Sequence, residues 1–218
     1  MSITLKNTKI GMVKNLPDFS YEQEYWQQGE LVVGADEVGR GAFAGPVVAA
    51  AVIFFPNQKI QIEINDSKKL SPKKRKIADV WIRKNALNYS IGSASASEIN
   101  KLGIKKATDR AFRRAVSSLE ARRLLIDGFF VPYLKSFPQS LQHRLVRGDS
   151  LSLSIAAASI IAKVYRDSLM CKLAEQSAFC QYNWQSNKGY GTPEHRFAIR
   201  THGACRLHRM QFVAACLK

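Results

Sequence analysis

Four acidic residues sit where a packing residue would be expected. Asp36 and Glu37 close the apolar run LVVGADE (31–37), Asp127 closes RLLID (123–127), and Asp149 follows the stretch 143–148. A carboxylate stripped of water at a strand end costs several kcal/mol unless it is paired or coordinated. Three such ends in one small domain point to convergence on a single site. Hard cations such as Mg²⁺ or Mn²⁺ prefer carboxylate oxygens and remove the repulsion between clustered acids. Taken singly, each acid also reads as a helix cap or as the partner of a nearby base. The adjacent pair at a strand end beside GRG favours chemistry.

Directly after that pair comes GRGAFAG (39–45), with three glycines in seven residues. Glycines let a backbone approach a ligand and present its N–H groups. The spacing matches neither GxxxxGK[ST] nor GxGxxG, so nucleotide-cofactor fingerprints are not supported, and a plain turn between strands stays open. NDSKKLSPKKRK (65–76) reads as a phosphate contact or as a solvated helix face. GYGTPEHRFAIRTHGACRLHR (189–209) gathers Tyr190, three histidines and four arginines. Tyr190, flanked by glycines, is expected to be exposed for stacking on a sugar or base. His195, His202 and His208 fit neither a HExxH pair nor a zinc finger, so zinc is not expected.

These residues belong to a chain of 218 residues with 33 Lys plus Arg, 17 Asp plus Glu, a net charge of +16 and a pI of about 9.9. With 46% hydrophobic residues the chain builds a core, which excludes disorder. The longest apolar stretch, 42–55, is interrupted by Gly45 and Pro46 and is too short to span a bilayer. No secretory signal is visible, and Cys171, Cys180, Cys205 and Cys216 lack CxxC spacing, so free thiols in a cytoplasmic protein are expected. Nucleic acid is the leading partner for this charge, an anionic membrane surface the second. The excess lies in two blocks, +11 over 66–125 and +8 over 131–218, while 1–65 carries −2 and Asp127 −1, which together make the +16.

Strands are expected at 31–37, 46–55, 88–94, 123–127 and 143–148. A helix should begin at Ser71-Pro72, with Ile77, Val80, Trp81 and Leu87 as its apolar face. A second helix over 103–122 should turn Ala107, Ala111, Val116 and Leu119 inward, and Lys106, Arg110, Arg113 and Arg114 outward. The strongest helical pattern spans 152–175. Short helices and loops should follow. Strands alternating with helices make an α/β domain.

Together these segments resemble the ribonuclease HII family. The matching motifs are GADEVGRGAFAGPVVAAAVI (34–53), DSKKLS (66–71), LIDG (125–128), GDSLSLSIAAASIIAKVYRD (148–167), GYGTPEH (189–195) and HGACRLHR (202–209). They cover most of the chain beyond residue 30, in the family's order. The sister family, ribonuclease HIII, typically has an extra N-terminal domain and differs in the GRG triplet, which favours HII.

The resemblance implies a ribonuclease H-like fold: a central mixed β-sheet flanked by helices, with a C-terminal helical extension. The expected division is an N-terminal extension (1–30), a catalytic domain (31–178) and a helical substrate-binding extension (179–218). It implies an endonuclease that cleaves the RNA strand of RNA–DNA hybrids and incises 5′ to a ribonucleotide embedded in duplex DNA, leaving a 3′-hydroxyl and a 5′-phosphate. Asp36, Glu37, Asp127 and Asp149 would form the site for Mg²⁺ or Mn²⁺, one substrate phosphate oxygen helping to hold a metal. Gly39, Arg40 and Gly41 would read the 2′-hydroxyl, and Tyr190 would pack on the adjoining deoxyribose. Lys68, Ser159 and Lys163 would be further substrate contacts. The family also implies a monomer. Ala42-Phe43, where a proline and a leucine are common, is a departure that touches none of these roles. The competing reading is a nucleic-acid-binding module with structural acids, which would bind salt-sensitively without turnover. An acyl-transfer hydrolase lacks its GxSxG elbow.

Overall fold

In the computed structural model, which describes residues 16–217, five strands form one mixed sheet. They are β1 (Val32–Val38), β2 (Val47–Ile53), β3 (Asn88–Ala94), β4 (Arg123–Asp127) and β5 (Gln142–Leu145), in the order β3-β2-β1-β4-β5. β1 pairs antiparallel with β2 and parallel with β4; β2–β3 is antiparallel and β4–β5 parallel. Every residue of β2 is buried. Its side chains alternate between two cores: Val47, Ala49, Ala51 and Ile53 meet one, and Val48, Ala50 and Val52 the other. A strand covered on both faces needs an unbroken apolar run, which VVAAAVI supplies.

One face is covered by α3 (Ala96–Val116), whose Ala107, Ala111, Phe112, Ala115 and Val116 are buried. Ala107, Ala111, Val116 and Leu119 do face inward as expected. The helix begins seven residues earlier than predicted and ends six earlier. Its start is a capping box between Ser95 and Glu98, and Gly103, at φ +77°, breaks the helical path inside it. Arg110 and Arg114 both reach Glu98 at 2.9 Å across that break, and their hydrogen bonds hold its carboxyl down at about 2.

The other face is covered by α2 (Pro72–Asn85) and α4 (Leu153–Ala174). Ser71 caps α2 as predicted, but its inward stripe is not the expected one. Ala78, Asp79 and Ile82 are buried, Trp81 is half-buried, and Ile77, Val80 and Leu87 are exposed. One residue is 100° of helix rotation, so sparse apolar positions among lysines leave the facing stripe undetermined until the sheet chooses it. Arg83, at 2.9 Å, offsets the burial of Asp79.

α4 runs directly over β1. A Cβ on Gly34 would lie 2.3 Å from Ser154 and 2.5 Å from the Ile155 nitrogen, so the glycine sets how closely the helix settles. The start of α4 is doubly capped. Ser152 Oγ accepts from the Ile155 N–H, and Glu22 of α1 (Ser20–Trp26) accepts from Ser152 Oγ at 2.6 Å and the Ser154 N–H at 2.9 Å. Glu22 is fully buried; its charge meets a helix N-terminus instead of a base, and burial raises its carboxyl. Beyond α4, α5 (Trp184–Asn187), α6 (Pro193–His202) and α7 (Met210–Val213) pack around Trp184, Tyr182, Met170 and Phe43. Among the described residues no helix is long and apolar enough to cross a membrane, and all four cysteines are free.

Glu22→Ala removes two hydrogen bonds at a buried helix start and leaves a donor unsatisfied, which costs about 1–3 kcal/mol. Urea unfolding should show that loss, while Glu24→Ala, on the exposed side of α1, should stay within about 0.5 kcal/mol of the parent.

Candidate active site

The parallel pairing of β1 with β4 sets Ala35 opposite Ile126, so the next residues, Asp36 and Asp127, emerge level at adjacent strand ends. Here the chain leaves β1 for β2 on one side while β4 lies on the other, the place in an open α/β sheet where ligands bind. Asp127 Oδ1 accepts from the Gly148 N–H at 2.7 Å. That bond ties the 3-10 turn of residues 148–150, which carries Asp149, to the end of β4. Gly148 is needed there, because a Cβ would meet the Ile155 side chain at 2.6 Å. Asp36 Oδ1 accepts from the Glu37 N–H at 2.7 Å, and Glu37 pairs with Arg40 at 3.4 Å.

These carboxylates face one another more than they face bases. Burial holds Asp36 well above the usual carboxylate range, and the charges of Glu37, Asp127 and Asp149 push it the same way. Burial raises Glu37 against the pull of Arg40, with Asp127 adding to the rise. Asp149 is pushed up to about 6 by burial, then by Asp66 and Asp127, with Lys68 opposing. Asp66, not singled out from the sequence, is therefore a fifth carboxylate at this centre. Its signal was available: it stands first in DSKKLS. It lines a cleft with Lys68, Lys69, Asp127, Asp149 and Ser150.

Lys68 is exposed. Burial pulls its ammonium down, but Asp66, Asp36, Asp149 and Asp127 outweigh that and raise it, so the sequence-predicted lysine does face the acids. Ser159 is placed differently. It is buried in α4, donates to the Ala156 carbonyl and accepts from the Ser67 N–H at 3.2 Å, so it holds the loop carrying Lys68 from behind. Lys163 pairs with Asp167 at 2.9 Å and lies 5.5 Å from the centre of the Tyr190 ring.

Tyr190 is half-buried, which corrects the expectation of a freely exposed ring. Its neighbouring glycines serve close packing. A Cβ on Gly189 would meet the Ala44 carbonyl at 2.7 Å, and one on Gly191 would meet the Phe43 ring at 2.5 Å. Phe43 therefore supports the turn that carries Tyr190. Arg166 lies 5.2 Å from the Tyr190 ring centre. Gly39 has φ +90°, and a Cβ there would strike Arg166 Nε at 2.2 Å; Gly41 has open space around it. Arg40 is half-exposed, with its guanidinium 5.0 Å from the centre of the Phe129 ring.

Behind Tyr190, His195 and His208 are fully buried with their Nε2 atoms 3.1 Å apart. His195 Nδ1–H donates to the Tyr190 carbonyl, so its Nε2 accepts, and Trp184 Nε1–H also donates to it at 3.0 Å. His208 Nδ1 accepts from the Cys205 N–H, which leaves its proton on Nε2, facing His195. Both rings are thus neutral. Burial lowers both, and the neighbouring His195 helps to bring His208 to about 4. His202 is exposed and takes no part. Among the described residues no three His, Cys, Asp or Glu groups form a ready-made metal cage. The donor set at Asp36 still suits a hard ion, because Mg²⁺ is commonly held by one or two carboxylates, waters and substrate phosphate without a protein cage.

A family model described as Ribonuclease HII matches residues 33–215. A ribonuclease HII of Wolbachia pipientis subsp. Culex pipiens is 47% identical over 198 residues, covering 90% of this chain and 95% of that protein. The ribonuclease H2 structure from Pyrococcus horikoshii OT3 superposes with a TM-score of 0.70 at 22% identity, over 85% of this chain and 96% of that one. A Bst ribonuclease HIII solved in complex with Mn²⁺ gives 0.64 at 20% identity, over 86% and 69%.

Because burial and the neighbouring Glu37, Asp127 and Asp149 charges disfavour a carboxylate at Asp36, Asp36→Asn should stabilise the fold in metal-free buffer near neutral pH. A gain of about 1 kcal/mol corresponds to about 2–4 °C in melting temperature for a chain of this size. His208 has a folded pKa below its unfolded value, so its contribution is complete above about pH 6.5 and is lost as pH falls toward 4. Raised carboxylates such as Asp149 work in the opposite direction over the same window, so the difference between parent and His208→Gln melting curves isolates this contribution, and it should shrink as pH falls from 6.5 toward 4.

Proposed function

The chain belongs to the ribonuclease HII family and is a ribonuclease H enzyme; from that premise we propose that it hydrolyses the RNA strand of RNA–DNA hybrids and incises 5′ to single ribonucleotides embedded in duplex DNA. The products carry a 3′-hydroxyl and a 5′-phosphate, and the biological task is ribonucleotide removal and degradation of RNA primers or hybrids. The observation that carries this reading is the gathering of Asp36, Glu37 and Asp149 beside Asp127 at the end of two paired strands, where the Asp127 charge raises the carboxyls of the other three and a cation would relieve the repulsion.

Asp36, Glu37, Asp127 and Asp149 would hold two divalent ions, Mg²⁺ or Mn²⁺, the latter present in the related HIII structure. When bound, such ions supply a water of lowered pKa and offset negative charge at the scissile phosphate. The remaining work falls to the chain itself. Lys68 places an ammonium at the acidic cleft, where it meets a phosphate, and Ser159 fixes the loop that carries it. The Gly39–Arg40–Gly41 backbone reads the 2′-hydroxyl, the only group that separates ribose from deoxyribose at a given site. Tyr190, backed by Arg166 and Lys163, packs on the sugar of the adjoining deoxynucleotide and detects the RNA-to-DNA junction. The basic blocks over 66–125 and 131–218 grip phosphates on either side. The enzyme acts as a monomer in the cytoplasm.

A duplex with one embedded ribonucleotide, incubated with Mg²⁺ or Mn²⁺, should be nicked 5′ to that residue by the parent and left intact by Asp36→Asn. Salt-sensitive binding without any nicking would instead leave a binding module with structural acids. Tyr190→Ala should lose its packing on the deoxyribose and weaken cleavage of the junction substrate while retaining cleavage of a long hybrid. Equal losses on both substrates would count against junction reading.

A further inference from the structure

Two arginines, Arg166 and Arg209, are wholly buried, and among the described residues neither has a carboxylate within ion-pair distance. Both spend their hydrogen bonds on main-chain carbonyls, most of them in one loop. Arg209 Nη1 donates to the Gly39 carbonyl at 2.7 Å and the Arg40 carbonyl at 2.9 Å, and its Nε to that of Gly45 at 3.0 Å. Arg166 Nε donates to the Pro46 carbonyl at 2.9 Å, Nη2 to Ala44 at 3.0 Å and Nη1 to Lys188 at 3.0 Å. Burial and the nearby Arg166 charge lower Arg209 to about 9. Two like charges held in a dry site without a counterion are costly, so packing alone does not account for them.

The geometry points to a function for that cost. A peptide unit is planar and trans, so a carbonyl aimed one way sends the N–H of the same unit the other way. With the Gly39 and Arg40 carbonyls turned inward onto Arg209, the N–H groups of Arg40 and Gly41 turn outward. The next amides are spent inside the protein: Ala42 on Gly39, Phe43 and Ala44 on Gly189, Gly45 on Leu207. Among the described residues the Arg40 and Gly41 amides have no acceptor, and a Cβ on Gly41 would find no atom within 4 Å. Gly39 has no room for a side chain because Arg166 lies against it.

We propose that Arg209, braced by Arg166, is a positioning residue for ribose selection: it orients the peptide units of residues 39–41 so that two amide N–H groups face the ribose 2′-hydroxyl. The inference rests on the reading that this loop recognises ribose. A guanidinium is required because its planar fork meets three carbonyls at once, whereas an ammonium is a point charge that fixes none of their planes.

The test is a ratio of affinities under conditions without turnover: Kd for a duplex with one embedded ribonucleotide against Kd for the same duplex in all-DNA form. Arg209→Lys, measured below its melting temperature, should lower the discrimination about tenfold, the scale of one or two lost hydrogen bonds, with all-DNA affinity unchanged. Arg166→Lys should move it the same way. Arg196→Lys, on the surface over Phe43, should leave it alone. A purely structural role would weaken both affinities together. Gly41→Val fills the open space outside the loop and should erase discrimination. If it does not, the ribose-reading loop itself is wrong. If it does, and folded Arg209→Lys discriminates like the parent, only the positioning inference falls. Should both arginine variants fail to fold, ¹⁵N spectra of the parent decide. The Arg40 and Gly41 amide signals should shift with the ribonucleotide duplex and not with all-DNA, with the Arg209 guanidinium signals protected from exchange throughout. Rapid exchange there would overturn the proposal.

Discussion

Two parallel strands that end side by side bring Asp36 and Asp127 level, and the rest of the centre follows from having to place like charges together out of water. The ladder between β1 and β4 leaves no freedom in that placement, since a one-residue slip would turn every side chain of β1 to the opposite face. Around the acids the fold supplies main-chain donors more than cations. Glu37 N–H serves Asp36, and Gly148 N–H serves Asp127. Such donors satisfy a carboxylate without neutralising it, so the negative potential survives for a ligand. Gly34 sets the depth at which α4 lies on β1, and with it the position of the turn that carries Asp149.

Much of this was legible along the chain because it is local. An acid at the end of an apolar run, a proline after a serine cap, and a long apolar helix each leave a short-range pattern, and β1, β2, β4 and α4 followed those patterns closely. The rest depended on distant partners. Which stripe of α2 faces inward was decided by the sheet, at Ala78 and Ile82. Tyr190 lies half-buried because Phe43 and Ala44 crowd its flanking glycines, a contact across nearly 150 residues of sequence. Ser159 was placed on the substrate by its motif, yet its neighbours bury it behind Ser67. Arg166 left little trace, as one of several charges, with Lys163 and Asp167, in the later part of a helix that begins apolar. Arg209 left none in a segment already rich in arginine.

The positive charge also divides by environment. The surplus of +16 describes the whole chain, but its members do different work. Arg110 and Arg114 are committed to Glu98 and Arg123 to Glu30, so they stabilise the fold locally. Lys68 stands exposed at the acidic cleft, facing Asp66 and the acids behind it. Arg166 and Arg209 face no solvent at all and meet the partial charges of carbonyls and the faces of the Tyr190 and Phe212 rings. A count of basic residues therefore overstates the charge offered to a polyanion, and the local partner of each base decides its share.

The span of the Arg209 contacts has a consequence for how the protein is made. Gly39 and the residue that clamps it lie 170 positions apart, whereas the ladder that brings the acids together needs the chain only as far as β4 and the turn after β5. During synthesis the carboxylates can assemble once α4 has emerged to cover the sheet, while the C-terminal residues are still being added, and the loop beside them stays unclamped until residue 209 has emerged. Contacts of such long range close late because the entropy of closing the loop must be met first. A truncated or half-made molecule would then hold the acids with a slack loop beside them, and its selectivity would be the last property to arrive.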